Sequence, residues 1–245
     1  MKKILMISMI LTIAIQAESF ALIVGVDGGN LIGTTNDVKS MNKVLNDKNI
    51  DYIKTLVNRE ATKYSIISEF KKIVNIADAG DKVYFFFSGH GTNEFDRSIS
   101  KNLQSKLRGT GALLPYGADR VEYDSLLVIK RDLAKSFKKL EENRIKTLIM
   151  FDTCFSGSAY KDSFLPKKLT REFNRYPYKN IIFLASTIKL GKSAESVIQK
   201  RGYFSLALTR CLKSADKLNT LRSCLKNEYE YTPTILPKKG RQRLF

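Results

Sequence analysis

The sequence predicts an α/β fold, a mostly parallel sheet covered on both faces by helices. Short apolar runs alternate with amphipathic stretches along the chain, which is the pattern of strand–helix–strand units. Strands are expected at residues 21–26, 52–57, 82–88, 145–152 and 180–186. Helices are expected at 36–47, 62–77 and 130–142, the first two opened by Asn36 and Thr62 in capping position. Past Gly202, two further helical patterns at 203–213 and 216–229 precede an extended piece at 232–236. Pro233 and Pro237 bound that piece and suit it to a sheet edge, because proline withholds a ladder donor. Two stretches break the alternation. Residues 94–114 are polar, contain Gly109 and Gly111, and read as a loop over the site. Residues 160–179 carry Lys161, Lys167, Lys168, Arg171, Arg175 and Lys179. Long loops beside the carboxyl ends of parallel strands are where such folds place ligands.

Residues 1–17 read as a secretory signal. Lys2 and Lys3 form its charged start, residues 4–15 its apolar stretch, and Ile15-Gln16-Ala17 a cleavage site. An uncleaved membrane anchor is the competing reading, since Ile15 meets the small-residue rule only by half; against it, the apolar stretch is short for a membrane span, which needs about 20 residues. No other segment is long and apolar enough to cross a bilayer, so the expected location is secreted or periplasmic, with no stable span once the signal is removed. Residues 18–245 then form one domain, long enough to bury a large core. Removing Lys2 and Lys3 from 42 basic residues leaves 40 against 24 acidic ones, a net charge near +16. That charge favours anionic partners but is spread through almost every helix and loop. No basic helix interleaved with aromatics reads nucleic acid.

Three cysteines leave an odd count. In an oxidising compartment Cys211 and Cys224, both in the C-terminal helical stretch, could pair and leave Cys154 as a thiol; two buried unpaired cysteines would look the same in sequence. No pair has metal or redox spacing, and a single histidine argues against a structural zinc site.

That single histidine, His90, follows the apolar run Val83-Tyr84-Phe85-Phe86-Phe87 as Ser88-Gly89-His90-Gly91. Cys154 follows a second apolar run as Asp152-Thr153-Cys154-Phe155-Ser156-Gly157. If these strands are parallel neighbours, their carboxyl ends bring imidazole and thiol to one substrate carbonyl. A thiol is strongly nucleophilic only as thiolate, and imidazole exchanges protons near neutrality. The glycines permit tight turns with exposed amides, so the N–H groups of Gly91 and Cys154 are candidates for an oxyanion site.

Phe-Phe-Ser-Gly-His-Gly and Asp-Thr-Cys-Phe-Ser-Gly resemble, in order and context, the histidine and cysteine motifs of the caspase-type cysteine peptidases, in particular the metacaspase-like and bacterial caspase-domain members of peptidase family C14. Leu31-Ile32-Gly33-Thr34-Thr35-Asn36-Asp37 after the first strand resembles that family's first helix start. Leu113-Leu114-Pro115 and the stretch from Ala185-Ser186 through Gly202-Tyr203-Phe204-Ser205 are weaker echoes. The resemblance implies a three-layer sandwich around a sheet of about six strands. It implies His90 as general base and acid, Cys154 as nucleophile, and a substrate-side-chain (S1) pocket of Asp37, Asp152 and Ser88 that selects Arg or Lys. The purely structural alternatives are a helix-start carboxylate for Asp37 and an acceptor of loop amides for Asp152.

The resemblance further implies protein or peptide substrates with basic residues, and residues 161–179 as a candidate self-cleavage region. The chemistry needs no cofactor. Some metacaspases use calcium, but Asp96, Asp119, Glu122, Asp124 and Asp132 show no readable ligand spacing, so calcium activation stays open. Phe155 stands where many metacaspases carry histidine. The proline-bounded edge favours a monomer. The alternative reading is a catalytically idle caspase-fold binding or scaffold protein, against which stands the retention of both His90 and Cys154.

Overall fold

The computed structural model describes residues 17–28, 31–154, 176–187 and 194–245. All but Ala17 of the expected signal, Phe155, and residues 160–175 of the basic stretch lie outside the described residues.

The chain opens with β1 (Ser19–Gly25), α1 (Thr34–Asp47), β2 (Tyr52–Val57), α2 (Lys63–Ile76) and β3 (Lys82–Ser88). A small antiparallel sheet follows, made of β4 (Gly91–Asn93), β5 (Gly111–Leu113) and β6 (Leu127–Val128), with the short α3 (Lys101–Lys106) between its first two strands. Then come α4 (Ala134–Glu142), β7 (Lys146–Asp152), β8 (Ile181–Ala185), the two-residue strands β9 (Glu195–Ser196) and β10 (Arg201–Gly202), α5 (Tyr203–Ser214), α6 (Leu218–Glu228) and β11 (Thr234–Leu236). The central sheet has six strands in the order β11-β8-β7-β3-β1-β2. All its pairings are parallel except that of β11 with β8, so 232–236 does supply an edge strand, and it runs antiparallel.

The continuous apolar runs follow from burial on both faces. In β3, Val83, Phe85 and Phe87 enter the core under α2 and α4, whereas Tyr84 and Phe86 enter the one under α1, α5 and α6. β7 alternates alike, with Ile149 and Phe151 on the first face and Leu148 and Met150 on the second. Rings of Phe70, Phe85, Phe151 and Phe183 step across the first face at centroid separations of 4.8, 5.5 and 5.6 Å, close enough for tilted and edge-on aromatic contact.

Three expectations need correction. Helix α1 begins at Thr34, after Gly33, without a side-chain cap, and Asn36 lies inside it, donating instead to the Lys200 carbonyl. Thr62 does cap α2, accepting from Ser65 N at 3.1 Å. The start of 130–142 is a π-turn, Ile129–Leu133, before α4 proper. Residues 94–114 are not simply a loop. Ile99, Leu103, Leu107, Ala112 and Leu114 build a third apolar cluster with Leu126 and Val128, and that burial orders α3 and β5. Gly109, at φ +75°, makes the left-handed turn between them.

Cys211 of α5 and Cys224 of α6 form a disulfide, 13 residues apart in sequence. It clips two of the three helices that cover one face of the sheet. Closing a loop of this size constrains the unfolded chain by about 3 kcal/mol. Replacing both cysteines by alanine should therefore lower unfolding free energy by about that amount in urea titrations, and the oxidised wild type, denatured without reductant, should titrate as a single thiol.

Candidate active site

β3 and β7 lie side by side with Ser88 opposite Asp152. Both chains leave the sheet at that level, one through Gly89 to His90 and the other through Thr153 to Cys154, and Gly89 N donates to Asp152 O at 3.2 Å. Two residues beyond paired strand ends, His90 and Cys154 line one cleft of about 100 Å³, with Asp152, Glu195 and Gly202 in its wall. Gly91 lies so close to Cys154 that a Cβ there would meet Thr153 Oγ1 and sit 2.6 Å from Cys154 O. Leu114 N donates to His90 O at 3.0 Å, which makes residues 90 and 114 a hydrogen-bonded pair of the β4–β5 ladder. The Gly91–Leu113 pair is then the alternate kind, and its amide points away from β5.

His90 is held through both ring nitrogens. Nε2 is 2.8 Å from Gly28 O, and Nδ1 is 3.3 Å from an Arg120 guanidinium nitrogen. Guanidinium only donates, so Nδ1 is the acceptor and Nε2 carries the proton to Gly28. Burial lowers the imidazole pKa, and the Arg120 charge lowers it further against opposing pulls from Gly28 and Glu195. The ring is therefore held neutral with its basic nitrogen at Nδ1.

Gly28 sits in a clamped turn. Asp27 accepts from Thr34 Oγ1 at 2.6 Å, Thr35 Oγ1 at 2.8 Å and Asn58 Nδ2 at 3.0 Å, while Asp27 N donates to Asn58 Oδ1 at 2.7 Å. Burial pulls the Asp27 pKa upward, but these hydrogen bonds outweigh it and hold the carboxyl below its usual range.

Asp37, Asp152 and Ser88 come together as the sequence suggested, though in two layers. Asp152 lines the cleft. All three are buried, but Asp37 and Ser88 stand outside the cleft lining, with Asp37 Oδ2 accepting from Ser88 Oγ at 2.9 Å and Gly202 N at 3.1 Å. Asp152 Oδ2 accepts from Ser205 N at 2.9 Å and Ser205 Oγ at 2.6 Å, so it also caps α5, whose own cap residue, Gly202, has no side chain to do so. Gly202 is needed here, since a Cβ would collide with Asp152 Oδ2 and stand 3.1 Å from Asp37 Oδ2.

Arg201 completes the cluster, donating from Nε to Asp37 Oδ1 at 3.2 Å and from a terminal nitrogen to Ser205 O and Thr209 Oγ1 at 3.2 and 3.0 Å. Even so, burial and the nearby Asp152 charge push Asp37 up to about 7.

Sequence reasoning missed Arg201, Arg120, Asp27 and Glu195. Glu195, whose carboxylate accepts from Ile32 N and Gly33 N at 3.1 and 3.2 Å, lies within the stretch read as a weak echo. Arg201 lies in the same stretch, but its partner Asp37 is distant in sequence, and Arg120 and Asp27 carry no local signal, because their partners are set by tertiary proximity. Four of the five acidic residues weighed for calcium are engaged elsewhere. Asp96 accepts from Thr92 and Ser98, Asp119 from Val121 and Glu122 amides, and Asp124 and Asp132 from Arg131. Among the described residues no group of three or more His, Cys, Asp or Glu gathers around a metal-sized space.

The raised Asp37 pKa makes a pH prediction. In the unfolded chain Asp37 ionises near its ordinary value of 3.8, whereas the folded site holds its proton to about 7. Stability from this group is full below the unfolded pKa and is lost as pH rises toward 7, with a slope of up to about 1.4 kcal/mol per pH unit. Urea unfolding of wild type and Asp37→Asn between pH 4 and 8 should show the variant lacking this descending component.

The caspase-domain family profile matches residues 18–232. No curated protein matches the chain. Among solved structures, protein GSU0716 from Geobacter sulfurreducens superposes with a TM-score of 0.63 at 18% identity, covering 93% of this chain and 98% of that one. At that identity the likeness speaks for the fold, and the profile, spanning most of the chain, speaks for descent: this protein belongs to the caspase-domain family of cysteine peptidases, peptidase family C14.

Proposed function

We propose that the protein is an extracytoplasmic cysteine endopeptidase that cleaves after Arg or Lys. The observation that carries this reading is the placement of His90 and Cys154 just beyond opposed ends of neighbouring parallel strands, on one cleft that Asp152 also lines. His90 Nδ1 takes the Cys154 proton, and the thiolate sulfur attacks the substrate carbonyl carbon. The carbonyl electron pair moves onto oxygen, where the amides of Gly91 and Cys154 receive it. As the pair returns, the C–N bond breaks and His90 gives its proton to the departing amine. Water then attacks the thioester with His90 as base. The C–S bond breaks, the acid is released and the thiol is restored.

Asp152 at the cleft, backed by Asp37 and Ser88, supports a basic side chain before the cleaved bond. Asp152 and Arg201 cancel while Asp37 keeps its proton; once Asp37 ionises, above about pH 7, the cluster is net negative, suited to one incoming cation and unfavourable to Asp. The signal-like residues 1–17 support secretion or a periplasmic location, and the proline-bounded β11 edge supports a monomer. No step calls for calcium.

Fluorogenic peptides ending in Arg or Lys should be hydrolysed by the mature chain and not by Cys154→Ala, while those ending in Asp should be left intact. Asp152→Asn should lower kcat/KM for Arg peptides by about 10- to 100-fold, the loss of one charge-assisted hydrogen bond. Calcium is added in a parallel series. Absence of hydrolysis by folded protein with reduced Cys154, and of acyl-enzyme formation, would instead support a binding module.

A further inference from the structure

We propose that Arg120 is a receptor for a substrate carboxylate on the leaving-group side of the cleaved bond, and that its docking frees Nδ1 of His90. This rests on the peptidase reading of the site. With Nε2–H committed to Gly28 O, Nδ1 is the ring nitrogen left for proton transfer, and in this structure it accepts from Arg120. The base is therefore occupied until the guanidinium moves.

The neighbouring cleft supplies a reason for it to move. His90 is a shared wall between the small cleft that holds Cys154 and a larger one of about 470 Å³ lined by Arg120, Asp27, Gly28, Pro115 and Tyr116. Acyl chemistry belongs on the Cys154 side, and the departing amine takes its proton from His90, so the chain following the cleaved bond passes the imidazole into the larger cleft. The charged groups on its lining are Asp27 and Arg120. Asp27 is saturated by Thr34, Thr35 and Asn58.

Arg120 is held loosely by comparison. One guanidinium nitrogen meets Ser98 Oγ at 3.1 Å and Asp96 Oδ2 at only 3.8 Å, and the side chain is 35% exposed. Asp96 is itself turned to Thr92 and Ser98. An incoming carboxylate can make the two-pronged pair that Asp96 does not. Glu195 faces His90 from the opposite cleft and does not compete for Arg120. The ligand class is a peptide with Asp or Glu shortly after the cleaved bond, or with its free C-terminal carboxylate there.

The test uses quenched peptides with Arg before the bond and Asp, Glu, Asn or Lys at the first or second position after it, plus short peptides ending there as free acid or amide. Wild type should favour the acidic members by about 10-fold or more in kcat/KM, and Arg120→Ala should lose the preference while cleaving the Asn peptides faster than wild type. The side-chain and C-terminal arms identify which carboxylate is read.

A second measurement needs no turnover: the pH profile of Cys154 alkylation by iodoacetamide. Arg120→Ala should be alkylated faster at neutral pH, and N-acetyl-aspartate should accelerate wild type but not the variant. Equal cleavage of acidic and neutral peptides by wild type, or a preference retained in Arg120→Ala, overturns the proposal. If wild type cleaves nothing, the peptidase reading has failed on its own, and unchanged alkylation in Arg120→Ala then overturns the role of Arg120 separately.

Discussion

The seven-residue parallel register between β3 and β7 is the constraint on which the site depends. It sets Ser88 opposite Asp152 and so decides that the two exits from the sheet stand at equal height. A slip of one residue would move every side chain of one strand to the other face. Here both faces are filled with large apolar groups, Phe85 and Phe87 on one and Tyr84 and Phe86 on the other, so a slip would have to repack two cores at once. Close packing makes that costly. The position of His90 relative to Cys154 is thus a by-product of core packing several residues away from either.

The same constraint explains what was legible in the sequence. Buried strands between helices are readable because they must be apolar, and the six-strand order follows from ordinary parallel crossovers. His90 and Cys154 were legible because each carries its chemistry on a strand end marked by glycine. The small sheet of β4, β5 and β6 was not, since its strands are two or three residues long and its glycines and charges look like loop. Its order comes from Ile99, Leu103 and Leu107 meeting Leu126 and Val128, a pairing visible only in space. Arg201 was hidden for the same reason, being 164 residues from Asp37.

Electrostatics at the site is a balance that no single residue expresses. Asp37 and Asp152 repel across a buried wall, and together they would favour holding one proton. Arg201 opposes this from behind, through Asp37 Oδ1, and is itself fixed by Ser205 O and Thr209 Oγ1. Ser205 joins the two halves, since its amide and hydroxyl serve Asp152 while its carbonyl receives Arg201. The start of α5 therefore ties both carboxylates to one arginine, and the geometry of the pocket is inseparable from the docking of that helix.

The imidazole depends on a parallel chain of contacts from the other side of the sheet. Asn58, at the end of β2 and in a left-handed conformation with φ 50°, grips Asp27 by both its amide atoms. Left-handed backbone is tolerated by asparagine better than by most residues, which suits it to this corner. Asp27 in turn gathers Thr34 and Thr35 of α1, and the turn so clamped presents Gly28 O to His90 Nε2. The ring tautomer is fixed by that carbonyl, and Arg120 can address Nδ1 only because Nε2 is already committed. A carboxylate in the turn beside the imidazole thereby sets which ring nitrogen is left as acceptor, while the carboxylates on α1 and β7 set the charge of the wall beside it.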